Sequence, residues 1–188
     1  MPKKQAKTKD KPSKENKILV KAVFSQEYIY SNKKEAFTLY EQSRFGEPKE
    51  GRIFYSGVEA LYLLEKLKLS LRQGKKKISF DKLLTELKIQ DSKLETKYKV
   101  FKDMRDRGYI VKTALKFGAE FRVYDKGVKP GEDHARWILY PVKESEVLTW
   151  HDFSAKNRVA HSTKKNLLIG IVDEEGDVTY YVCQWLKP

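Results

Sequence analysis

Three histidines, His134, His151 and His161, and one cysteine, Cys183, are the side chains of this 188-residue chain from which metal or nucleophilic chemistry would most readily start. Their spacing suits neither. No histidine pair stands in HExxH order, and a single cysteine cannot build a Cys/His zinc site. A restriction-type metal site places Glu-x-Lys on a strand; in Glu47-Pro48-Lys49 the proline assigns that triplet to a loop. There is no P-loop and no G-x-G-x-x-G. Neither a metal nor an organic cofactor is therefore expected, and Cys183, set in an apolar stretch, reads as a buried, inert thiol.

What remains is metal-free acid–base chemistry. RNA permits it, because the 2′-hydroxyl can attack the neighbouring phosphorus. A protein then has to supply a base for that hydroxyl, an acid for the departing 5′-oxygen and a cation for the charge on phosphorus. The charge balance agrees: net +13 with a pI near 9.6 points to a polyanionic partner. His134 follows the Gly/Pro stretch KGVKPGEDH and precedes a strand pattern, which suits a cleft. His161, within Val159-Ala160-His161, reads as structural, and His151 as a solvent-facing helical residue. Residue types alone do not single out the base among eleven tyrosines, or the cation among the many lysines.

Composition bounds the setting. Charged residues make up 35% of the chain, against an average of about 25%. High Lys and Glu with little Met or Cys matches a heat-adapted source. No run approaches the ~18 apolar residues of a membrane span, and no apolar segment follows the basic N-terminus. A cytoplasmic location with no membrane partner is expected.

These side chains need elements to hold them. Residues 1–17 form a lysine-rich tail with almost nothing to bury, and disorder is expected there. ILVKAVF reads as a strand, residues 41–55 as a loop running into the short strand RIFYS, and SGVEALYLLEKLKLSL as an amphipathic helix. In that helix Ser56 and Glu59 form a capping box, and Leu61, Leu64, Leu67 and Leu71 make the stripe. SFDKLLTELK predicts a second helix capped by Ser79. A third opens at Ser92 with Glu95 as its capping-box partner, carries the stripe Leu94, Tyr98, Phe101 and Met104, and stops at Gly108. The period then becomes two: YIVKTAL and AEFRVYD are strands around a turn at Phe117-Gly118, and ARWILYPVK is another. SEVLTWHDFSAKNRVAH is helical in its first part. NLLIGIVD and DVTYYVCQWLK form a hairpin. The expected fold is α+β or α/β with two small mixed domains, 18–93 and 94–188, the second a central mixed sheet flanked by helices, as in nucleases.

Three stretches carry a resemblance: RDRGYIVKTALKFGAEFRVYDKG, then DHARWILYPV, then RVAHSTKKNLLIGIVDEEGDVTYYVCQW. Together they resemble the archaeal tRNA-intron endonuclease family, over the C-terminal half and more loosely, through SGVEALYLLEKL, over the N-terminal half. The resemblance implies a Tyr–His–Lys triad: Tyr124 at the end of Gly118-Ala119-Glu120-Phe121-Arg122-Val123-Tyr124, His134, and Lys165 in the R-V-A-H-S-x-x-K motif, with Lys164 as the neighbouring alternative. Tyr124 would be the base, His134 the acid and Lys165 the cation, with a basic pocket lowering the tyrosine's pKa. The implied substrate is the bulge–helix–bulge of precursor tRNA, cut at both exon–intron junctions to leave 2′,3′-cyclic phosphate and 5′-hydroxyl ends. Arg158 matches one of the base-clamping arginines that the family contributes across subunits, and Tyr180 is read at the position of its partner. The acidic turn Asp173, Glu174, Glu175 and Asp177 resembles a loop that inserts into a neighbouring subunit. Chains of this length imply a homotetramer, or a heterotetramer with a structural subunit. Two other readings stay open: a non-catalytic RNA-binding subunit of the same assembly, and a DNA nuclease of related fold.

Overall fold

The computed structural model describes residues 18–25, 28–115, 118–131 and 133–186; the expectations for the lysine tail and for Phe117 lie outside them. Among the described residues two sheets and five helices follow one another as mixed α and β structure, in two small units of the expected class.

The first sheet is built from β1 (Val20–Ser25), β2 (Tyr28–Ser31), β3 (Glu47–Lys49), β4 (Arg52–Tyr55), β5 (Leu69–Gln73) and β6 (Lys76–Ile78), in the order β3-β4-β2-β1-β5-β6. Alternation is clean: Val20, Ala22 and Phe24 point inward while Lys21, Val23 and Ser25 point outward. Helices α1 (Lys34–Ser43) and α2 (Gly57–Glu65) are packed on this sheet, with α3 (Phe80–Gln90) against α2.

Three expectations for this half of the chain need correction. The strand RIFYS forms as β4, but the stretch before it is not one loop: α1 runs to Ser43, and Glu47–Lys49 is the edge strand β3, an edge being where a sheet tolerates Pro48. The helix opening at Ser56 does carry its capping box, but it ends at Glu65. Leu67 turns left-handed (φ 54°), and Leu71 faces the core from β5, so the leucine spacing crosses a helix–strand boundary. Ser79 caps α3 through Lys82 N as expected. Ser92 caps nothing, because α4 (Leu94–Asp106) starts after Lys93 without a side-chain cap.

Helix α4 buries the stripe Leu94, Tyr98, Phe101 and Met104. It ends in a double turn: Gly108 N donates to Arg105 O and Tyr109 N to Met104 O, with Gly108 at φ 89°. That left-handed position is one glycine adopts without steric cost. The chain reverses there into the second sheet: β7 (Ile110–Thr113), β8 (Phe121–Tyr124), β9 (Trp137–Lys143), β10 (Asn166–Val172) and β11 (Val178–Cys183), in the order β11-β10-β9-β8-β7. Only the β9–β10 pair is parallel. It is connected by α5 (Trp150–Ser162), which is helical in the last part of its segment rather than the first, because Thr149 and Asp152 form the capping box. Helix α4 covers one face of this sheet and α5 the other.

The core runs through both units. Tyr62 of α2 stacks on Phe45 at 5.5 Å and meets Phe101 of α4 edge-on at 5.9 Å. At the centre lies a buried ion pair. Lys112 of β7 donates to Glu59 Oε1 (3.0 Å), Gly46 O (2.7 Å) and Arg44 O (3.1 Å), while Glu59 accepts from the Gly46 and Ser56 backbone amides. Gly46 (φ 76°) has no space for a side chain: a Cβ would lie 2.3 Å from Ile53 Cγ2.

Candidate functional site

Topology brings three ends of chain to one edge of the second sheet. Strands β9 and β10 are parallel, with Trp137 opposite Asn166, so both begin at that edge. Strand β8 runs antiparallel to β9 and ends there at Tyr124. Arg136 N donates to Val123 O, and Asn166 N to Arg136 O, which ties the three ends together. His134 therefore stands just before β9, Lys165 just before β10 and Tyr124 at the end of β8. All three line one cleft of about 390 Å³, with Arg122, Asp133 and Gly131.

Lys165 owes its placement to the end of α5. Lys164 N donates to His161 O and Lys165 N to Ala160 O, with Lys164 left-handed at φ 55°. This turn sends consecutive lysines apart. Lys164 is exposed and does not line the cleft, whereas Lys165 is half-buried with Nζ donating to Thr163 O at 2.8 Å. Of the two candidates from sequence, the cleft contains Lys165.

The electrostatics differ from expectation in one respect. Tyr124 is buried, and burial raises its pKa; the Arg122 guanidinium opposes that shift without cancelling it, and Glu47 adds to it. The basic pocket thus does not lower the phenol's pKa. Lys165 is shifted down, first by burial and then by Arg122. His134 is exposed at the mouth, its backbone amide held by Asp133 Oδ1 at 2.6 Å.

Arg122 is the cleft residue that sequence reasoning missed. It precedes Tyr124 by two on the same strand, so both side chains share a face. Its Nη2 lies 4.0 Å from Glu47 Oε1 of β3, which sets the edge strand of the first sheet beside this cleft residue.

Within one chain Arg158 and Tyr180 lie apart, as a pair contributed by different subunits would. Tyr180 of β11 packs toward α4 and donates to Asp103 Oδ2 at 2.8 Å, whereas Arg158 lies on α5 across the sheet. Arg158 instead lines a concavity of about 520 Å³ with Phe153, His161 and Trp185. Trp185 is 60% exposed and meets the His161 ring at 4.6 Å. The period-two pattern of the last strand marks which face Tyr180 takes, but not how the chain beyond Cys183 folds back over α5. Cys183 is half-buried with its thiol pKa pushed up by burial. In the acidic turn, Asp173 Oδ1 accepts from the Gly176 and Asp177 amides, and Glu174, Glu175 and Asp177 face solvent. No helix among the described residues is long and apolar enough to cross a membrane.

Comparison with known proteins follows the same division. Residues 94–180 match the family model described as tRNA intron endonuclease, catalytic C-terminal domain, and residues 20–84 match that of the N-terminal domain. The tRNA-splicing endonuclease of Thermococcus kodakarensis is 42% identical over 164 residues, 87% of this chain and 96% of that protein. Its counterpart in Pyrococcus furiosus is 41% identical over 172 residues, 91% of this chain and 99% of that one. That of Nanoarchaeum equitans is 43% identical over 137 residues, covering 70% and 88% respectively.

Proposed function

The chain belongs to the tRNA intron endonuclease family, and from that premise we propose that it is a catalytic subunit that cuts precursor tRNA at the exon–intron junctions of a bulge–helix–bulge without a metal ion. The observation that carries the reading is the convergence of Tyr124, His134 and Lys165 on one basic cleft.

In this reading the scissile phosphate sits between Lys165 and Arg122. The 2′-oxygen bonds to phosphorus as the bond from phosphorus to the 5′-oxygen breaks. The 2′-hydroxyl proton passes to Tyr124, and His134 gives a proton to the 5′-oxygen. The products are a 2′,3′-cyclic phosphate and a 5′-hydroxyl. Lys165 offsets charge on the phosphoryl oxygens. Tyr124 works against its own pKa: an ordinary phenol is only about a thousandth ionised at pH 7, and burial shifts Tyr124 further toward the neutral form. The base is therefore the scarce partner of the pair.

Substrate grip falls to Arg158 and Trp185, whose shared concavity suits a bulged base held by stacking and cation–π contact. One chain carries one triad and the substrate has two cuts, so at least two copies act together. The exposed carboxylates Glu174, Glu175 and Asp177 suit a basic surface on a neighbouring subunit, in a homotetramer or alongside a structural subunit, in the cytoplasm. His134→Ala tests the reading by single-turnover cleavage: the rate should fall by about a hundredfold or more while binding persists. Full activity would remove His134 from the chemistry.

A further inference from the structure

The outer face of the first sheet is lined with cations and aromatics. Cross-strand register sets Glu47, Phe54, Tyr30, Val23, Arg72 and Lys77 in one row, one residue from each of the six strands. At about 4.8 Å per strand the row spans about 24 Å. Beside it, Arg52 lies over the Tyr30 ring at 4.9 Å, and Lys21 and Arg72 flank a concavity of about 500 Å³. Tyr28 is 59% exposed and meets Phe54 edge-on at 6.1 Å. Tyr28 and Val23, the latter 41% exposed, leave apolar surface between the cations of this face. Helices α1 and α2 pack on its inner side, and no described element covers the outer one.

This row also leads to the cleft. Its first member, Glu47, is the residue whose carboxylate lies 4.0 Å from Arg122. Cations separated by half-exposed rings suit unpaired RNA: the phosphates meet Lys21, Arg72 and Lys77 while bases stack on Tyr28 and Tyr30. A basic protein partner would find little acid to pair with here, since Glu47 is the row's one carboxylate. An acidic segment of a second copy would meet the cations but leave the exposed rings without bases to stack, and the assembly mass tells the two apart.

We propose that the outer face of the first sheet, read across Tyr28, Tyr30, Arg72 and Lys77, is a second RNA-binding surface that holds an unpaired stretch leading out of the cleavage cleft. The inference rests on the cleavage reading for which RNA reaches this face, and the test separates the two. In a His134→Ala background, binding is measured for a bulge–helix–bulge RNA with and without a single-stranded extension. The parent chain should gain about tenfold in affinity from the extension. Tyr28→Ala combined with Lys21→Glu and Arg72→Glu should abolish that gain and flatten the salt dependence by about one unit of slope for each phosphate no longer neutralised. All three side chains are exposed, so the thermal midpoint should hold and serves as the folding control.

A gain that survives the substitutions, or none in the parent chain, overturns the proposal. So does a change in assembly mass caused by the substitutions, which would make the face a contact between copies. If the bulge–helix–bulge RNA is not bound at all, the cleavage reading fails instead. A single-stranded pyrimidine RNA alone then tests the sheet, and equal binding by parent and substituted chains overturns the proposal.

Discussion

Lys112 Nζ and Glu59 Oε1 lie 3.0 Å apart, each side chain 5% exposed, joining the second sheet to the helix that lines the first. Every donor of the ammonium is used, on Glu59, Gly46 and Arg44. Removing one partner would leave a buried charge without compensation. Lys112→Met should therefore destabilise the fold by about 3–5 kcal/mol, and Lys112→Met with Glu59→Gln by clearly less. Chemical denaturation measures both. A loss below about 1 kcal/mol for the single change would contradict the arrangement.

The same pair sets an acid limit. Burial pushes the Glu59 carboxyl up, but Lys112 and the Ser56 and Gly46 amides outweigh it and hold its pKa below the usual 4.5. Its contribution is thus complete above about pH 4.5 and fades as the pH falls through the lower folded value. Glu65 and Asp106, held down by Lys102 and Lys66 against burial, act in the same direction. Unfolding free energy should decline below about pH 4.5, with a shallower decline in Glu59→Gln. A stability flat from pH 5 to pH 3 would disprove this.

Consecutive lysines should behave in opposite ways. Lys165→Ala should reduce cleavage by about a hundredfold, as expected when one preorganised charge is removed. Lys164→Gly relieves a left-handed residue at the expense of chain entropy, so stability should change by less than about 1 kcal/mol and cleavage should persist. Because burial and Arg122 depress the Lys165 pKa, the alkaline fall in rate should start below the ordinary lysine value. Lys165→Arg, which stays charged, should remove that fall. Single-turnover rates across pH decide the matter. Equal losses at Lys164 and Lys165 would overturn it.

Tyr124→Phe asks whether the phenol moves a proton. If it is the base, the substitution should slow cleavage by about a hundredfold or more and change the shape of the pH–rate profile on its alkaline side. A profile of unchanged shape with a near-normal rate would take Tyr124 out of the chemistry.

Local pattern singled out His134 of this site, while Tyr124 and Lys165 were named only through the family resemblance; pattern did place the strands that carry them. The period-two stretch ending at Tyr124 and the Gly/Pro loop before His134 set two members of the cleft at the ends of strands, and Ser56 with Glu59 announced a helix start that formed as read. What was hidden depends on contacts distant in sequence. Leu67 and Leu71 continue a helical spacing by chance, and only the pairing of β5 with β1 ends the helix at Glu65. Lys164 and Lys165 are alike in sequence; the left-handed turn after α5 separates them. Arg122 looked like an ordinary strand residue until Glu47 and Tyr124 were found beside it, and Trp185 gained meaning only once it met His161 across α5.

The most direct test is incubation of the purified chain with a bulge–helix–bulge RNA in EDTA, followed by analysis of the product ends. Cleavage at both junctions, leaving 2′,3′-cyclic phosphate and 5′-hydroxyl ends, with no cut where the 2′-hydroxyl is replaced by hydrogen, is the result predicted. Cleavage that requires an added divalent ion, or that proceeds on the 2′-deoxy substrate, would contradict it.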